Sequence, residues 1–281
     1  MKRILTILVV MAMIFVSPAF GAWDSALPAG TSDPSDIDTE VGANNTALQS
    51  LLDDLAGWAD LQVDRTNATT VAVTADQLVL RGSSDLAARF ETVSESIAIT
   101  TDGASGLDTG AEQASKWYYV WIIAKDDGTI NGLLSLSATA PTMPANYNDK
   151  ALVSAVYNDS SSNFVDFLQS SHHYEYNTWR SMASGVATGW ESVDTANFVP
   201  SELSNVAFGS LIGFCGNIQV TNNNSVAAHA DTVAPNKIIV AVSDTGGAYW
   251  RLHLLTADTL YWSGWANANL YCGGFEITKL S

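Results

Sequence analysis

In the stretch SSHHYEYN, His172, His173 and Glu175 carry the side-chain types of a zinc site. On a strand, His173 and Glu175 would point to one face, and imidazole with carboxylate is a ligand set that zinc accepts. No third ligand accompanies them, since His229 and His253 stand in unrelated surroundings, so the stretch reads as an exposed strand end and no metal is expected. Acidic turns at Asp102, Asp108 and Asp126-Asp127 lack EF-hand spacing and read as turn chemistry. The nearest approach to a nucleophile elbow is FGSLIG, Phe208 to Gly213, which lacks the G-x-S-x-G spacing and sits in a strand-like run. No glycine-rich phosphate loop is present, and 29 acidic residues offer many carboxylate pairs without a criterion for choosing one. The sequence therefore assigns no catalytic residue and no cofactor.

Two further groups carry a functional hint. Tyr249, Trp250, Tyr261, Trp262 and Trp265 cluster near the end of the chain. Exposed aromatic rings stack on sugar faces, which makes Trp250, Trp262 and Trp265 a candidate glycan platform, with Asn267 or Asn269 supplying hydrogen bonds. The competing reading is packing, because large aromatics are mostly buried. Cys215 and Cys272 are the only cysteines and fall on separate strand candidates, so they are a candidate disulfide, with two buried free thiols as the alternative.

The charge balance narrows the partners. Acidic residues outnumber basic ones by 29 to 12, for a formal net charge of -17. Such a surface repels phosphate backbones and anionic head groups, so nucleic acid is excluded and neutral glycans are favoured over anionic ligands. At the start, Lys2-Arg3 precede an apolar run from Ile4 to Val16 and the small-residue site before Ala22. That layout predicts a secretory signal peptide over 1–21, an exported or extracellular chain, and no membrane association once the leader is cleaved; the alternative is an uncleaved anchor.

The elements that must position these residues follow from periodicity. WDSALPAGTSDPSD, Trp23 to Asp36, is a turn-rich lead-in. Ile37, Val41, Asn44, Leu48, Leu51, Leu55 and Trp58 then alternate spacings of four and three, a heptad seam. The seam predicts a short helix, either a coiled-coil stalk joining identical chains or an amphipathic helix lying on its own domain. From Leu61 onward, short strand candidates alternate with turn signals: 70–74, 77–80, 96–100, 117–124, 130–136, 151–157 and 164–169, then 206–215, 217–221, 237–242, 248–255, 259–263 and 269–277. Asp126-Asp127-Gly128 marks one hairpin turn and Asp244-Thr245-Gly246-Gly247 a second, while YNTWRSMASGVATGWESVD is a lead-in between two sets of strands.

Within the first hairpin, Trp117, Tyr119, Trp121 and Ile123 load one face of a strand while Tyr118, Val120 and Ile122 load the other. Both faces need cover, from a second sheet or from neighbouring protomers. The expected architecture is mainly β: a leader over 1–21, a lead-in and stalk helix over 22–60, and two antiparallel β-sandwich-like domains over 61–177 and 178–281.

Two segments carry a resemblance. WDSALPAG, with Asp36 and Asp38 before the helix, resembles the N-terminal segment of many tail-fibre and receptor-binding virion proteins of tailed bacteriophages. The residues from Arg65 to Gln169, containing WYY, SLSATAP and ALVSAVYND in that order, are similar to the β-rich module of the same fibres. LYWSGWANANLYCGGFEI resembles the closing strands of a second module. The resemblance implies a non-enzymatic structural and receptor-binding role on a virion tail, as a homotrimer, with other tail proteins and a host-surface glycan or protein receptor as partners. The alternative is an exported bacterial β-sandwich protein that binds cell-surface glycans as a monomer or low oligomer.

Overall fold

Alternating and doubly apolar runs of this kind can satisfy their backbone groups only by pairing laterally, and every described element is a strand. The computed structural model describes residues 57–82, 87–222, 237–255 and 258–279, with side chains described except at 87, 211, 213–218, 237–248 and 265–267. The strands are β1 (Trp58–Ala59), β2 (Gln62–Asn67), β3 (Thr70–Gly82), β4 (Ala87–Ala98), β5 (Gly106–Leu107), β6 (Lys116–Lys125), β7 (Ile130–Ser135), β8 (Tyr147–Asn158), β9 (Phe167–Ser170), β10 (His173–Asp194), β11 (Val206–Thr221), β12 (Lys237–His253) and β13 (Thr259–Glu276). They form one mixed sheet in the order β12-β11-β13-β10-β9-β2-β3-β8-β6-β7-β5, with β1 and β4 also paired to β3. Among the described strands only the β5–β7 pair is parallel. Residues Gly57–Ser281 form one compact unit, and the expected boundary near Asn177 falls inside β10. The expected stalk helix lies outside the described residues except for Trp58, which is in β1.

The β6–β7 hairpin has the expected turn. Gly128 takes a left-handed φ of 87° that a β-carbon would oppose, and the Thr129 amide donates to Asp127 Oδ1 at 2.9 Å. In β3 the buried side switches from Val71, Val73 and Ala75 to Leu78 and Leu80. Across from that switch, Thr92 of β4 has φ 57°. Two short strand candidates, 70–74 and 77–80, are thus one continuous strand whose alternation changes phase. The end of β3 pairs with β8 through Arg81 and Gly82. Beyond the ladder, β4 lies against β7, where Ile97 occupies the space above Gly132.

The last third differs most from expectation. The segment read as a lead-in is most of β10, because β9 and β13 supply partners for its backbone despite its weak alternation. The turn expected at Asp244 to Gly247 does not form: β12 runs through it, with Thr245, Gly246 and Gly247 opposite Phe214, Gly213 and Ile212 of β11. A continuous partner strand makes the ladder hydrogen bonds that a turn would forgo, so local turn preference loses to pairing.

Candidate functional site

From Tyr118 to Ala124 every residue of β6 is buried, on both faces. Part of the cover is the segment following β10, roughly 195–203, and aromatic polar tips hold it in place. Trp117 Nε1 donates to Ala196 O at 2.7 Å, Tyr157 hydroxyl to Asn197 Oδ1 at 2.8 Å, Tyr176 hydroxyl to Phe198 O at 2.6 Å, and Tyr119 hydroxyl to Glu202 Oε2 at 2.7 Å. Arg180 adds a cation over the rings of Tyr157, Tyr176 and Phe198, at 5.0, 5.0 and 4.6 Å, and donates to Asn197 O. Trp117 also meets Phe275 of β13 edge-on at 6.0 Å, joining β6 to the last strand in chain order, which lies inside the sheet between β11 and β10. Trp117 and Tyr119 on one face of β6, with Tyr157 of β8 and Tyr176 of β10, therefore also present the donors that fasten this cover, which explains why Tyr and Trp stand where Leu or Val would bury equally well.

Where this segment meets β6, an open cleft of about 390 Å³ remains, lined by Gln113, Lys116, Trp117, Tyr119, Glu202 and Asp258 among others. Burial raises the Asp258 carboxyl above its ordinary range, and the neighbouring charges of Glu202 and Asp194 push the same way, while a Ser201 hydrogen bond opposes them. Burial, the Glu202 hydrogen bond and the Glu202 charge likewise raise Tyr119, which stays a neutral donor. The cleft offers an indole edge, a Lys ammonium, an amide and two carboxylates, a set suited to holding a small polar group. Sequence reading missed it because Glu202 and Asp258 lie far from β6 along the chain. Only the polar tips in an otherwise apolar run hinted that something bound there.

The residues singled out from sequence are placed differently. Trp250 and Trp262 are 2% and 3% exposed and belong to the core, so neither presents a ring face for stacking; the correction follows from their side of the sheet, which faces inward. The side chains of Trp265 and Asn267 lie outside the described residues, and Asn269 is half-buried. Cys272 is a buried free thiol rather than half of a disulfide, and burial pushes it up to about 12, which disfavours the nucleophilic thiolate. The register explains this correction: Cys272 lies opposite Gly209 of β11, whereas Cys215 is six positions further along that strand, on the order of 20 Å at strand rise. Bridging requires Cα atoms within about 7 Å. His173 and Glu175 do share a face, 3.9 Å apart, and no group of three metal-ligating side chains occurs among the described residues. Comparison of the chain with family models, with curated proteins and with solved structures finds no match.

Proposed function

We propose that the chain is a non-enzymatic structural and receptor-binding protein of the tail-fibre type, exported and assembled as a homotrimer, with sandwich-like β domains as its building units. The observation that carries this reading is the long antiparallel ladder β10–β13–β11–β12. Its strands run 22, 18, 16 and 17 residues, against a usual strand of about 5 to 6. A straight strand the length of β10 would extend on the order of 70 Å, far more than is needed to enclose a small catalytic pocket. Extended ladders of this kind suit load-bearing and display. The face-to-face contact of β4 with β7 supports the sandwich-like organisation.

A second reading has its own observation. Both faces of β6 are covered within one chain, so the doubly apolar strand does not call for neighbouring protomers. That favours an exported monomer or low oligomer binding cell-surface glycans.

Light scattering on the chain beginning at Ala22 separates the two: about three times the mature mass supports the trimer, and a monomer at high micromolar concentration supports the second reading. Leu48→Asp with Leu55→Asp should weaken assembly if the heptad seam holds the trimer. Mass spectrometry of exported protein should find a terminus near Ala22, and an intact Met1 terminus would count against export.

A further inference from the structure

The inward side of the β10–β13–β11–β12 ladder is core, but its outward side carries rings. Cross-strand rows assign the faces: Leu252, Ala207, Phe275 and Tyr174 are buried together, so the adjoining row Arg251, Phe208, Gly274 and Glu175 points outward. On this outer side β10 is irregular. Between Glu175 and Arg180, residues 176–179 of β10 face only Gly273 of β13. The bulge re-aims Trp179, whose ring meets Tyr249 of β12 edge-on at 5.6 Å, although β13 and β11 lie between their strands. Bulges that re-aim a side chain are characteristic of functional positions.

Beside Trp179 the glycine pair Gly273-Gly274 keeps the backbone bare. A β-carbon at Gly274 would stand 2.7 Å from Phe208 Cζ, and one at Gly273 3.4 Å from Trp179 Nε1, so both rings rest against that backbone. Phe208 in turn stacks on His173, with centroids 4.7 Å apart and planes within 6°. Tyr249 is 79% exposed. Among the described residues, no hydrogen bond engages Trp179 Nε1 or the Tyr249 hydroxyl.

We propose that this strip, Tyr249, Trp179, Phe208 and His173, is a binding surface for a neutral oligosaccharide. Tyr249, Trp179 and the outer face of His173 offer stacking faces, with Phe208 stacked beneath His173 as their support, and the free indole N–H and phenol offer hydrogen bonds to hydroxyl groups. The local charge fits that ligand. Arg251 is matched by a bidentate contact to Glu276, so the strip presents no unpaired guanidinium to an anion, and the chain carries a net charge of -17. A second copy packed here would have to desolvate the Arg251–Glu276 ion pair, which is costly unless the partner supplies new contacts. The assignment rests on the receptor-binding reading and replaces the inward-facing tryptophans as its site.

The test is titration of the full chain with maltotetraose, cellotetraose and chitotetraose, followed by tryptophan fluorescence. At least one should bind, and Trp179→Ala and Tyr249→Ala should each weaken binding about tenfold or more with the melting temperature nearly unchanged. Tyr249 is so exposed that its variant folds even if Trp179→Ala does not. Absence of binding across the panel overturns the proposal, as does unchanged affinity in both variants. Hydroxyl-radical footprinting in which Trp179 and Tyr249 become protected as protein concentration rises overturns it too, and gives the face to a second copy. Absence of binding, or unchanged affinity in both variants, leaves the mass measured by light scattering, and hence the structural reading, untouched, whereas the footprinting outcome would show in that mass as well.

Discussion

Gly132 of β7 faces Ile97 of β4 so closely that a β-carbon at position 132 would stand 2.1 Å from Ile97 Cγ1. Ile97 is fully buried, so it has no free space into which it can retreat. Gly132→Ala should therefore destabilise the fold by about 1 to 3 kcal/mol, the usual cost of overpacking. Ile97→Ala on its own should cost about 2 to 5 kcal/mol through the cavity it leaves. The double variant should recover part of the sum, and a denaturant-melt cycle reads that coupling. Strict additivity would show that β4 and β7 do not touch at this point.

The cover over β6 is held by tips rather than by apolar area alone, and this can be separated chemically. Tyr119→Phe keeps the ring and removes only the hydroxyl that donates to Glu202. A loss of about 1 kcal/mol is expected for a partly buried bond to a charged acceptor. Trp117→Phe should cost more, since it removes both the donor to Ala196 O and ring area against Tyr157 and Phe275. Hydrogen exchange at the amides of 198, 199, 203 and 204, which donate to carbonyls of 195 and 200, should speed up in both variants. Unchanged exchange there would mean the segment is held by packing alone.

How much of this was legible can be judged residue by residue. Strands β6 to β9 were expected close to their observed positions, because alternation or continuous apolar runs and turn residues agree there. Asp127 and Gly128 signalled a hairpin that β6 and β7 do form. Asp244 to Gly247 signalled one equally well, yet β12 continues through it, with a register shift at Ser243-Asp244 and Thr245 to Gly247 paired with β11. The difference lies in the partner, which is not written in the local sequence. The same holds for β10, whose small and polar residues carry no period of their own. Which face a ring occupies was equally hidden: Tyr249 and Trp250 are neighbours, one 79% exposed and the other 2%, and period-two geometry makes them opposites without saying which is inside. The pairing of Tyr119 with Glu202 joins segments 83 residues apart and leaves no local trace.

Burial of Trp250 and Trp262 makes a definite prediction about stability. Trp262→Ala should cost about 3 to 5 kcal/mol, as a core aromatic does. Trp250 differs in that its buried Nε1 finds no hydrogen-bond partner among the described residues. An unsatisfied buried donor is itself unfavourable, so Trp250→Phe should cost clearly less than Trp250→Ala, the lost donor offsetting part of the lost area. Thermal melts of the three variants check this. Equal melting temperatures for wild type and Trp262→Ala would show that this ring is not part of the core.

Asp258 gives the fold a pH dependence whose sign is fixed by its surroundings. Burial first, and then the charges of Glu202 and Asp194, raise its carboxyl above the ordinary value, so the folded protein favours the protonated form. Its contribution is fully present below the ordinary carboxylate range, near about pH 4, and is lost as the pH rises through the raised value. Asp258→Asn removes the charge and keeps an oxygen that can accept from Ser201. Asn also tolerates the left-handed backbone at this position, where φ is 58°. The variant should therefore melt higher than the parent at pH 7 by about 1 to 2 °C, a small shift because the carboxyl is largely solvated, and should match it near about pH 3. If the variant melts lower at pH 7, the carboxylate is an attractive partner for a cation beside it, Lys116 and Lys279 both sharing a cavity lining with Asp258, and the pH dependence has the opposite sign.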